Sequence, residues 1–160
     1  MIRLARLCTP TIVVGLVMVL AVAVSAQSSD PFNGTWKLDP AKSTASPGPV
    51  PKSVTLMIEG TDSAHKITVD AIPATGAPLH WSISGPLGKE LPVLGNDPNG
   101  DTAVVKRINA TTAETQYLKG GKPTVKNTGV VSADGKTLTI TGSGTDAQGR
   151  TIHNVSVYGK

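Results

Sequence analysis

Hydrophobic and polar residues alternate with a period of two along most of the chain. Thr137 to Thr141 reads Thr-Leu-Thr-Ile-Thr, which puts Leu138 and Ile140 on one face and the threonines on the other. Ile152 to Tyr158 repeats the pattern and places Val155 and Val157 together. Successive side chains of a strand point to opposite faces, so this alternation marks half-buried antiparallel strands. It predicts a first strand in Phe32 to Leu38, with Trp36 and Leu38 on one face. Ser53 to Glu59 follows with Val54, Leu56 and Ile58 inward, then Lys66 to Ala71 with Ile67, Val69 and Ala71 aligned. Leu79 to Ser84 turns Leu79, Trp81 and Ile83 inward. Further strands are predicted at Thr102 to Ile108, at Thr112 to Lys119 with Tyr117, and at Thr124 to Val131.

Turn formers separate these runs: Asn33-Gly34, Gly60 to Ser63, Gly85 to Lys89, Asn96 to Asp101, Gly120 to Pro123, Asp134-Gly135 and Gly142 to Gly149. Proline sets two further features. Leu91-Pro92-Val93-Leu94 is apolar, but Pro92 argues against a central strand. Ala41 to Lys52 carries Pro47, Pro49 and Pro51, and reads as an extended connector across an end of the fold. Short strands with a turn about every 10 residues, and no helical period beside them, predict an all-β domain. Short consecutive links favour an antiparallel up-and-down barrel of about eight to nine strands, with a β-sandwich as the alternative. Closure also removes the free edges that so Thr-rich a sheet would present.

The first residues read differently. Arg3 and Arg6 precede the apolar run Ile12 to Val24, and Val24-Ser25-Ala26 is a small-residue cleavage signal. That run has 13 residues, short of the roughly 20 that span a bilayer as a helix. Residues 1–26 are therefore read as a signal peptide, 27–31 as a flexible leader and 32–160 as one barrel domain. The protein is expected in the periplasm or outside the cell, with no stable membrane insertion after cleavage. Cys8, the only cysteine, leaves with the signal, so no disulfide supports the domain. Arg3 and Arg6 leave too, which takes the net charge from +4 to +2. With five scattered aromatic residues in the chain, neither the charge nor a stacking platform favours nucleic acid as a partner.

Gly34-x-Trp36 resembles the Gly-x-Trp signature of the lipocalin and calycin barrels. Four stretches resemble a family of small exported bacterial proteins without an assigned activity: Gly34-Thr35-Trp36-Lys37-Leu38, Val104-Val105-Lys106-Arg107-Ile108, Ser132-x-Asp134-Gly135-Lys136-Thr137-Leu138-Thr139 and Gly144-Thr145-Asp146-Ala147-Gln148-Gly149. The resemblance covers most of the chain after residue 26 and implies a lipocalin-like barrel. The chain departs from true lipocalins in lacking a Thr-Asp-x-x-Tyr motif and a disulfide pair.

No residue pattern points to catalysis. His65, His80 and His153 lie at no metal-ligand spacing and are read as solvent-facing, and no cysteine could complete a zinc site. Asp97-Pro98-Asn99-Gly100-Asp101 begins like a calcium loop. The sixth and twelfth positions, which need Gly and Glu, are Thr102 and Ile108, so it reads as a turn. No Gly-x-Ser-x-Gly elbow occurs. No metal and no cofactor are expected.

The expected function is non-catalytic binding of a small apolar ligand inside the barrel, with Leu56, Ile58, Trp81, Ile83 and Tyr117 lining the cavity and Trp36 plugging a barrel end. The alternative is a protein-interaction module that uses the segments 41–52 and 85–101, where Leu91, Val93 and Leu94 supply apolar surface.

Overall fold

The computed structural model describes residues 30–61, 63–146 and 149–160. The signal peptide read over residues 1–26 lies outside them. The described chain forms ten strands: β1 (Gly34–Leu38), β2 (Ser53–Gly60), β3 (Ala64–Ile72), β4 (Leu79–Pro86), β5 (Glu90–Gly95), β6 (Thr102–Asn109), β7 (Thr112–Lys119), β8 (Lys122–Val131), β9 (Thr137–Thr145) and β10 (Thr151–Gly159). Each pairs antiparallel with its sequence neighbours, and β1 also pairs with β10, so the meander closes into a barrel. The inward positions follow the alternation: Leu56 of β2 pairs with Val69 of β3, and Val69 with Trp81 of β4.

The tenth strand is the one that Pro92 argued against. β5 is paired on both sides, yet its two ladders do not overlap. Val93 to Gly95 pair with β4, whereas Glu90 to Pro92 pair with β6. The Val93 amide donates to Asp101 O at 2.9 Å, on the β6 side. Alternation turns the Pro92 nitrogen toward β4, at a level where β4 and β5 are unpaired, so no ladder bond is lost.

The proline-rich connector is also more than a crossing over one end. β1 meets β10 only through Lys37↔Gly159 and Leu38↔Tyr158. Beyond that point the connector takes over the seam. The Asp39 amide donates to Val157 O, and Thr44 exchanges backbone bonds with Val155 at 2.8 and 2.9 Å. The His153 amide donates to Ser46 O at 2.8 Å. A 3-10 turn at Pro40–Lys42, capped by Asp39, allows the change of course. Ser43 pins it: its hydroxyl donates to Asp39 O at 2.7 Å and accepts from the Val157 amide at 3.0 Å. Ser43→Ala removes the partner of that half-buried amide and is expected to cost about 0.5–1.5 kcal/mol in urea unfolding. A change of a few tenths would show that the seam closes without it.

The interior holds two buried clusters. One joins Trp36, Leu56, Val69, Trp81 and Leu138, and the other joins Ile83, Leu91, Ala103, Val105 and Tyr117. Among the described residues Trp36, Ile83 and Leu138 are the largest side chains to be fully enclosed. At the barrel end where β1 begins, Phe32 lies in the first cluster with Trp36, and Trp36 Nε1 donates to Phe32 O at 2.8 Å.

Candidate functional site

Both clusters contribute to the wall of one internal cavity of about 400 Å³. That is within the range of small-ligand pockets, about 300–1,000 Å³. Leu56, Ile58, Trp81 and Tyr117 line it, all four on inward positions of β2, β4 and β7. Ile83 shares the inward face of β4 but not the cavity: it is 1% exposed and packed among Leu91, Ala103, Val105 and Tyr117. Trp36 is also off the cavity wall, with 0% exposure. The connector reaches the cavity through Thr44, Ala45, Val50 and Pro51.

The wall is mostly apolar, and two groups of buried polar atoms without partners lie on it or beside it. The first is on β3 and β6. His65 is 9% exposed, and neither of its ring nitrogens has a hydrogen-bond partner. Its pairing partners on β2 and β4 are Gly60 and Gly85, so no cross-strand side chain flanks the ring. Arg107 also lines the cavity. One of its terminal nitrogens, Nη2, is bound to Asp30 Oδ2, and the guanidinium lies 4.4 Å from the centre of the Phe32 ring. Its Nη1 is buried without a partner. Burial, and after it the charge of Arg107, hold the His65 imidazole below its usual range.

The second polar group is at the other end of the barrel. Trp81 Nε1 and Asp97 Oδ2 are buried without a partner of good geometry, although both act on the Tyr117 hydroxyl. Asp97 Oδ1 accepts from the amide and the side-chain nitrogen of Asn99 at 2.8 and 2.7 Å. Burial outweighs those bonds and pushes the Asp97 carboxyl up to about 6. The Tyr117 hydroxyl is raised by burial and by the Asp97 charge, and that of Tyr158 by burial.

The expectation that the histidines face solvent holds for His80, whose Nδ1 meets Asp70 at 2.6 Å on an exposed surface, but not for His65. Residue parity could have found it, because His65 extends the inward series Ile67, Val69, Ala71 by one step. Arg107 extends Ala103 and Val105 in the same way. Among the described residues no group of three or more His, Cys, Asp and Glu could hold a metal ion. A second depression of about 700 Å³ lies on the outer face of β1 and β10, between Lys37, Lys42 and Lys160. It opens to solvent, and the site is assigned to the interior, where the unpartnered groups lie.

No protein-family model and no curated protein matches the chain. One solved structure with a similar fold is the zebrafish ileal bile acid-binding protein, crystallised with cholic acid. It shares 16% identity, with a TM-score of 0.50, over 81% of this chain and 98% of that one. At that identity the likeness speaks for architecture alone, and the architecture is an all-β, antiparallel, closed barrel of ten strands.

Proposed function

We propose that the protein is an exported, non-catalytic binding module that holds one small apolar ligand inside its barrel. The observation that carries this reading is the internal cavity of about 400 Å³ with its aliphatic and aromatic wall. A well-packed interior leaves few voids larger than a water molecule, so a cavity of this size has a use or a cost. The bile acid-binding protein of similar fold was crystallised with an amphipathic small molecule, which agrees with the reading. Export rests on the signal-peptide pattern of residues 1–26.

A protein-docking role for 41–52 and 85–101 draws less support. The connector is hydrogen-bonded to β10 and lines the cavity, and Glu90–Gly95 is a barrel strand. Of its apolar residues Leu94 is the one turned out, at 62% exposure.

Native mass spectrometry of the protein purified without detergent tests the reading. A bound mass that disappears on denaturation is expected. The same experiment on Gly129→Leu gives the control. Gly129 lines the cavity, and a Cβ there would make ordinary contacts, the nearest being Leu138 at 3.5 Å. The larger side chain projects into the cavity and narrows it. The variant is expected to stay folded and lose the bound mass. Retention of the same ligand by this variant would place binding elsewhere.

A further inference from the structure

Four nitrogens on the cavity wall lack partners: Trp81 Nε1 toward one end, and Nδ1 and Nε2 of His65 with Nη1 of Arg107 toward the other. Buried polar groups in folded proteins are completed by something, and those that protein atoms leave open await water or a ligand. Arg107 is not loose. Asp30 holds Nη2, the second oxygen of Asp30 accepts from the Phe32 amide at 3.0 Å, and the Phe32 ring supports the guanidinium. The free Nη1 is thus a fixed, charge-bearing donor beside an apolar wall that includes Ile58, Ile67 and Ile140.

We propose that His65 and Arg107 form a pole for the anionic head group of an amphipathic ligand, a carboxylate in the simplest case, whose tail lies along the apolar wall. This rests on the reading that the barrel holds an apolar ligand, and it names the head group that such a ligand carries.

The charges around the pole add a consequence. Asp30 already balances Arg107. The neighbours of His65 on β2 and β4 are Gly60 and Gly85, and the other titratable side chains on the cavity wall are Tyr117 and Tyr158. Among the described residues of the cavity wall an entering carboxylate therefore meets one cation, Arg107, whose charge Asp30 already balances. In the empty barrel burial, and after it the charge of Arg107, disfavour the protonated imidazole. The anion reverses that balance and draws a proton onto His65. Binding takes up one proton, and the affinity rises as the pH falls from 8 toward 6.

Titration calorimetry with decanoate and decanol at pH 7 separates the outcomes. These probes share a tail and differ in the charge of the head. Decanoate is expected to bind at least about tenfold more tightly than decanol. Its heat should vary with the ionisation enthalpy of the buffer, as uptake of one proton requires, and the heat of decanol should not. His65→Leu is expected to bring the two affinities together and abolish the proton uptake while decanol still binds. His65→Gln, which keeps a polar side chain that does not titrate, carries the same test if the leucine variant fails to fold. Equal affinities in the wild type, or proton uptake that survives in the variants, would overturn the anionic pole and leave the apolar cavity standing. Failure of both probes to bind would overturn the cavity reading along with it.

Discussion

Trp36→Ala is expected to remove about 3–5 kcal/mol of stability, the range for deleting a fully buried large ring. Small domains are stable by only about 5–15 kcal/mol in total, so this one change takes a large share. Three contacts account for it. The ring is 0% exposed in the first buried cluster. Its Nε1 donates to Phe32 O at 2.8 Å, which ties the chain ahead of β1 to the barrel wall. The Lys160 ammonium lies 4.6 Å from the ring centre and donates to Pro31 O at 3.2 Å, so the last residue of the chain is tied to the same end. Trp36→Phe keeps most of the ring but leaves the Phe32 carbonyl unpaired, at a cost of about 1–3 kcal/mol. Urea unfolding followed through Trp81 fluorescence measures both. A loss under about 1 kcal/mol for the alanine variant would mean that this end does not depend on Trp36.

Asp97→Asn is expected to stabilise the protein at neutral pH and to leave it unchanged in acid. Burial raises the Asp97 carboxyl in the fold from 3.8 to about 6. A raised carboxyl contributes stability that is fully present below 3.8 and lost as the pH rises through about 6. Above that pH the fold carries a buried charge whose Oδ2 has no partner of good geometry. A shift of this size is worth at most about 3 kcal/mol. Asparagine keeps the oxygen that accepts from Asn99 and never ionises. The stability difference between the two proteins should open between pH 4 and 6 and then level off. His65 works in the opposite direction, since its lowered imidazole loses stability as the pH falls below 6.5. It is present in both proteins and cancels in the difference. Urea unfolding at pH 4 and pH 7.5 decides the matter, and an equal difference at both values would sink the assignment.

The candidate site was legible in part. Alternation told inward from outward, and it turned Leu56, Ile58 and Trp81 toward the interior they line, where Tyr117 of β7 joins them. It also turned Ile83 inward, yet Ile83 packs against Leu91 and Ala103, away from the cavity. A period of two reports the face of a residue and carries no information about its depth along the barrel. His65 and Arg107 were missed for another reason. Polar side chains at the ends of inward series are ordinarily read as strand termini in solvent, and only the packing of Phe32 and Asp30 over that region encloses Arg107.

By itself the sequence determined that the chain is all-β and that consecutive strands pair as neighbours. Local chemistry suffices for both, since alternation defines strands and turn residues define short reversals. Tertiary structure decided the rest. β5 became a barrel strand because its two half-ladders leave the Pro92 nitrogen where no bond is due. The proline-rich connector became part of the wall because β1 is too short to cover β10. Whether the interior fills or stays open depends on which side chains meet across the barrel. That follows from closure and register, which bring together residues as far apart in sequence as Asp30 and Arg107.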